Sequence, residues 1–264
     1  MSISKYYFIT KTNFKNSFAY FYDSLFSAIF IALIVFVFAN IWTVVFRANP
    51  TGVINGFTLQ SMVWYLVVTE AILTSQGRII IQIGNEMITG EIANYLNKPY
   101  NYLFYKYFST IGSSITTFLI TILVGGLTAF IFVGPVQINP IILPLIAISC
   151  LLGITLHFTL MSVLGIFALW IEDAHSLAWL YQKVVLVIGG TLAPLDIFPA
   201  WLSAICLVLP FSFITYYPAK LFVLFNLNEF IQVTIIQIAW IVGAIIFAQI
   251  LFKVISKRVS INGG

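Results

Sequence analysis

The chain has 264 residues, of which 61% are hydrophobic and 8% charged, and it carries a formal net charge of +4. Its mean hydropathy of +1.05 and its 25 phenylalanines lie outside the soluble globular range. This composition excludes a soluble enzyme or a nucleic-acid-binding module, and the positive charge bears on orientation in a membrane.

The apolar residues come in runs rather than alternations. A run of about 20 spans a bilayer, because each helical residue rises about 1.5 Å across a core of about 30 Å. The sequence predicts an all-α integral membrane protein, a single transmembrane domain over residues 1–264, with lipids around it and no nucleic-acid partner. Cys150 and Cys206 sit far apart in apolar segments and read as small hydrophobes, not as a disulfide or a metal site.

In chain order, residues 1–23 open with KYYFITKTNFKNSFAYFY. Lys11 and Lys15 lie four apart on one helical face, with Phe14 and Phe18 on another, which suits a helix lying in the membrane interface. A plain flanking anchor for the first span is the alternative. Six spans are expected at 24–46, 56–76, 108–133, 140–171, 176–195 and 229–255. With six spans both termini share one side, and that side holds ten of the twelve Lys and Arg, leaving Arg47 and Lys220 on the other. The basic side is cytosolic, so the termini are expected in the cytosol.

Between spans two and three, GNEMITGEIANYLNKP (Gly84–Pro99) gathers polar residues. Ile88, Ile92, Tyr95 and Leu96 recur at helical spacing, while Glu86, Gly90, Glu91, Asn94 and Asn97 fill most of the remaining surface. A helix over 85–97 is expected, with Asn85 as its N-cap and Pro99 as its stop. Gly90 costs such a helix about 1 kcal/mol relative to alanine, and close approach of another surface is one reason to keep it. A solvated loop is the other reading.

Inside the spans, Glu70 either lines a pathway or reaches water or a partner such as Lys183 or Arg78. His157 reads as an interhelical hydrogen-bonding residue. Glu172, Asp173 and His175 form a polar turn between spans four and five. Gln182 and Lys183 are read as marking the start of span five, with Lys183 snorkelling to the interface. After span five, Pro194, Pro199, Pro210 and Pro218 punctuate two short apolar pieces, Ala200–Leu209 and Phe213–Phe225, too short for comfortable spans. Re-entrant helices over 199–226 fit better, because proline inside one helix costs about 3 kcal/mol. They serve either a pathway or packing, and Pro194, Pro199, Pro210 and Phe211 are the pathway candidates beside Glu70.

Two stretches carry a resemblance. TGEIANYLNKPYNYLFYKY (Thr89–Tyr107) is similar to the "sGei..yLlrP...y..y" pattern of the uncharacterised ATP-binding-cassette (ABC) permeases of the type-2 ABC exporter superfamily. GGTLAPLDIFPAWLSAICLVLPFSFITYYPAKLF (Gly189–Phe222) resembles that family's "G...Pl..fP.wl......lPF.....P" pattern. Where the family often has an apolar residue and Arg before the proline, this chain has Asn97 and Lys98, which keeps the charge without the bidentate fork.

The resemblance implies a transmembrane permease subunit of an ABC exporter in a prokaryotic cytoplasmic membrane, moving a lipophilic or amphiphilic substrate outward. It implies pairing with a second permease chain, the same or related, and docking of a separate cytosolic ATPase on helix 85–97. The contact candidates are Glu86, Gly90, Glu91, Asn94, Asn97, Lys98 and Pro99. The chain has no GxxxxGK[ST] loop, so ATP and Mg are expected in the partner and no cofactor or catalytic residue here. The rival is an ATP-independent secondary transporter or channel that uses Glu70.

Overall fold

Apolar runs of this length close their backbone hydrogen bonds internally as helices. Helices dominate the computed structural model, which describes residues 3–17, 21–96, 98 and 100–262. Helix α1 (Ile3–Ser17) precedes α2 (Phe21–Arg47), then a short antiparallel hairpin, β1 (Val53–Ile54) and β2 (Phe57–Thr58). Asn55 and Gly56 take φ of 48° and 87° at its tip, the pair of positive angles a two-residue hairpin turn requires. There follow α3 (Leu59–Thr74), α4 (Ile79–Ile88), α5 (Ala93–Leu96), α6 (Tyr102–Val133), α7 (Leu143–Ile171) and α8 (Ala174–Ile188). Helices α9 (Ala200–Val208), α10 (Tyr216–Val223) and α11 (Leu227–Asn262) complete the chain.

Among the described residues, five stretches are long and apolar enough to cross a membrane: Ala28–Arg47, Leu59–Ile88, Tyr102–Val133, Pro140–Ile171 and Leu227–Val254. Where six spans were expected, the fifth, over 176–195, is the short helix α8 of 15 residues. At about 1.5 Å per residue it falls short of a bilayer core of about 30 Å. It starts two residues early because the Asp173 carboxylate caps it, accepting from the His175 and Ser176 N–H groups. It ends at Gly189, with Gly190 at a φ of 69° that excludes further helix.

The second span also differs. Instead of one helix over 56–76, the hairpin gives way to α3, which Thr58 and Ser61 open with a capping box. The helix then breaks at residues 75–78, where Gly77 has φ 58°, and resumes as α4. The third begins at Tyr102 rather than 108, because Asn101 accepts from the N–H groups of Leu103 and Phe104. The interfacial segment expected over 1–23 is α1, with α2 already under way at Phe21.

Helices α2, α3 and α6 pack together, α4 and α11 run along α7, and α10 lies on α3 and α7. Between membrane helices apolar burial supplies little, so close contact through small residues matters more. A Cβ on Gly84 would lie 2.5 Å from the Ala174 Cβ, and one on Gly165 2.8 Å from the Ile83 Cβ, so α4 meets α7 and the start of α8 at glycine. A Cβ on Gly153 would likewise lie 2.6 Å from the Ile214 carbonyl oxygen, so α7 meets the segment before α10 at glycine.

Helix α1 is seated in the same way. A Cβ on Gly112 of α6 would lie 2.9 Å from both the Thr10 carbonyl oxygen and the Phe14 nitrogen. The Thr10 hydroxyl donates to the Phe108 carbonyl at 2.9 Å, and Tyr6 packs on Phe108 with centroids 4.8 Å apart. Gly112→Leu is expected to lift α1 from α6 and to speed tryptic cleavage at Lys11 and Lys15 several-fold. Gly243→Leu, on a part of α11 with nothing within 4 Å, should leave the cleavage rate unchanged.

Candidate functional site

The polar segment between α4 and α6 is not the single helix expected over 85–97. Asn85 is not an N-cap but lies inside α4, which ends at Ile88. Gly90 then adopts φ 76° with nothing within 4 Å of a Cβ placed there, and α5 adds one further turn. Gly90 therefore meets a conformational requirement of this chain's own backbone. The turn is closed by Ile92 N–H donating to the Glu86 carbonyl at 3.1 Å and Ala93 N–H to that of Gly90 at 3.0 Å. Met87 and Ile92 are buried beneath it.

Glu86 points into the chain. Its carboxylate accepts from the Tyr102 hydroxyl and pairs with the Lys106 ammonium of α6, both at 2.5 Å, with the two charged side chains only 14% and 12% exposed. Around this clasp Tyr95 packs on Tyr102 and Tyr105, Tyr105 on Tyr100, and Tyr102 on Phe252 of α11. Lys106 lies 5.4 Å from the Tyr95 ring centroid and Lys98 5.0 Å from it on another approach, within cation–π range. Burial and the neighbouring Glu86 charge raise the Tyr95 phenol above its usual pKa. Glu91, Asn94 and Lys98 are exposed on the outside of the turn. Asn97 and Pro99 lie outside the described residues.

At the opposite end of the bundle the proline-rich segment forms α9 and α10, close to the two pieces expected. Pro194 precedes a 3-10 turn over Leu195–Ile197, Pro199 stands at the N-cap of α9, and Pro210 accepts from the Phe213 N–H in the turn between α9 and α10. The irregular backbone here is satisfied by protein groups, as membrane depth demands. Tyr65 donates to the Gly190 carbonyl, Thr69 to that of Thr191 at 2.7 Å, Thr215 to that of Gly189 at 2.7 Å and Gln237 to that of Phe213 at 2.9 Å. Phe211 is half-buried with its ring 6.3 Å from that of Tyr181. Lys220 ties the segment down, reaching Asp196 at 3.0 Å and Glu229 at 3.5 Å, while the Tyr216 hydroxyl donates to Asp196 at 2.8 Å. Lys220→Met should cost this clasp about 1.5 kcal/mol or more, the usual worth of a hydrogen bond to a charged group. Faster hydrogen exchange over residues 195–224, with no change at α4, is the expected readout.

Glu70 is 5% exposed on α3. Its carboxylate has no ion pair or hydrogen bond among the described residues, so it meets neither Lys183 nor Arg78. It also stays outside a cavity of about 620 Å³ between the break in the second span and α6, α7 and α8. Gln76, Arg78, Thr110, His157, Gln182 and Lys183 are among its lining residues. His157 is the middle residue of α7, fourteen from either end (157 − 143 and 171 − 157), so the cavity reaches half the depth of that helix. Its ring packs on Tyr181 at 5.6 Å. Lys183 does not mark the start of the fifth helix: it lies nine residues after Ala174 (183 − 174). Sequence reading missed this cavity because its polar residues come from five elements; Gly77, between Gln76 and Arg78, was the one local signal of a break.

The family model described as ABC-2 family transporter protein matches residues 29–263, all but 29 of the residues. No curated protein matches the chain. The matched region includes both the α4–α6 turn and the proline-rich segment.

Proposed function

The chain belongs to the ABC-2 family of transporter proteins, and from that premise we propose that it is the permease subunit of an ATP-driven exporter. In this reading it lies in a prokaryotic cytoplasmic membrane with both termini cytosolic, α1 in the interface and α8 completing a sixth, short crossing with the segment after it. A second permease chain, the same or related, pairs with it, and a separate cytosolic ATPase binds ATP and Mg and docks on the turn after α4.

The observation that carries the reading is the way this turn is built. It presents Glu91, Asn94 and Lys98 outward, while the Glu86–Lys106 pair and the tyrosine stack fasten it to α6 and α11. A push on the turn would pass into α4, and through the glycine contact at Gly84 into α7 and α8. Coupling of this kind requires two states that nucleotide binds differently. Glu86 serves in this account as the brace of the docking turn, and Glu91, Asn94 and Lys98 as its contact face.

Glu91→Lys is expected to leave the protein inserted and folded while lowering transport-coupled ATP hydrolysis roughly tenfold, the equivalent of about 1.4 kcal/mol of contact energy. Unchanged hydrolysis and export in that variant would remove the docking role. The rival, a secondary transporter, has in its favour the buried Glu70 carboxylate, which has no ion pair among the described residues. Transport that follows a proton gradient and ignores ATP would select it.

A further inference from the structure

The cavity behind the broken second span has a charge arrangement the permease reading does not by itself explain. Arg78 and Lys183 both line it, both are exposed, and neither is in an ion pair among the described residues. Among the described residues, no Asp or Glu lines it. Lys183 lies about 15 Å along α8 from its Asp173 cap, taking about 1.5 Å per residue, and its ammonium is 5.7 Å from the Trp179 centroid. A cation at such a place on an apolar helix faces water, protein or a counter-charge rather than lipid.

Three further features converge on the same space. Helix α4 begins there, and its N-cap, Arg78, supplies no side-chain oxygen to its first N–H groups, so the positive end of the helix dipole adds to the two cations. Gln76 and His157, 4% and 2% exposed, each line the cavity and carry a buried atom without a partner among the described residues, Oε1 and Nδ1. These acceptors suit a hydroxyl or water deeper than the cations. Finally, an adjoining groove shares Arg78 and Gln182 with the cavity, continues along the apolar Ile81, Ala178, Trp179 and Leu180, and ends at His175 and Ser176 at the start of α8.

We propose that this cavity binds the anionic headgroup of an amphiphile, with Arg78 and Lys183 as its counter-charges and the groove along α8 as the path of its apolar tail. The inference rests on the permease reading and names its substrate class. A phosphate-type anion could also arrive free of any tail, and the test separates the two sources.

The full-length chain in neutral maltoside detergent is titrated by calorimetry with dihexanoyl-phosphatidylglycerol, dihexanoyl-phosphatidylcholine and glycerol phosphate. The anionic lipid is expected to bind at least tenfold more tightly than either of the others. Arg78→Gln and Lys183→Gln should each weaken it about tenfold, with Lys183→Arg retaining it and the thermal midpoints of all variants matching. Equal affinity for the two lipids, or affinity unmoved in both glutamine variants, overturns the proposal. Glycerol phosphate binding as tightly as the anionic lipid overturns the amphiphile and assigns the cavity to a soluble anion. The assay contains no ATP and no ATPase, so its failure is distinct from that of the permease reading, which falls if no ATPase accompanies the chain.

Discussion

Gly84→Leu is expected to loosen the contact of α4 with α7 and α8 and to destabilise the protein by about 1–3 kcal/mol or more, as overpacking of a tight contact does. The reason is geometric. The first added atom already lies 2.5 Å from the Ala174 Cβ and 3.0 Å from the Ala168 Cβ, both on helices that cannot yield without moving backbone. Three more side-chain carbons cannot be placed at all without separating α4 from its neighbours. Reversible unfolding in mixed micelles should show the loss, and hydrogen exchange should place it in residues 79–92 and 160–178. A Gly84→Leu protein as stable as the wild type would mean that α4 does not pack on α7 in this way. Gly243→Leu, on the open face of α11, is the matched control and should shift the midpoint little.

Glu86→Ala is expected to cost about 3 kcal/mol, the lower part of the range for removing one partner of a buried pair, because both side chains retain slight exposure. The ammonium of Lys106 would remain beneath Tyr95 and Tyr102 with no counter-charge, and the Tyr102 hydroxyl would lose its acceptor. The double variant Glu86→Ala/Lys106→Met should recover part of the loss, so that the cycle shows coupling between the two sites. In the account of the turn as a brace, Glu86→Ala also uncouples hydrolysis from transport, whereas Lys98→Ala, which removes only an exposed charge and its ring contacts, keeps the fold. Unfolding of Glu86→Ala indistinguishable from wild type would contradict the clasp.

The parts of this structure that could be read from the sequence are those set by length and local pattern. The first, third, fourth and sixth spans follow from apolar runs, α9 from Pro199 and Pro210 that bracket it, and α10 from Pro210 before it and Pro218 in its first turn. What was not legible depends on partners distant in sequence or on backbone angles that composition does not reveal. Glycines at 77 and 90 look tolerable in a helical pattern, yet both adopt positive φ and divide helices there. Glu86 resembles any solvated glutamate until Lys106, twenty residues on, is folded against it. Arg78 and Lys183 are 105 residues apart, so only the fold brings them to one cavity. The Asp173 and Asn101 caps, by contrast, were available as local signals and account for the early starts of α8 and α6.

The central claim, that this chain is a permease worked by a separate ATPase, is tested most directly by what accompanies it. The tagged chain is purified from its native membrane in mild detergent and its partners are identified by mass spectrometry. The account predicts a near-stoichiometric protein with a GxxxxGK[ST] phosphate loop, lost from the Glu91→Lys variant while the permease itself is recovered in full. Recovery of the chain without any such ATPase, in a form that still moves solute across vesicle membranes, would contradict it.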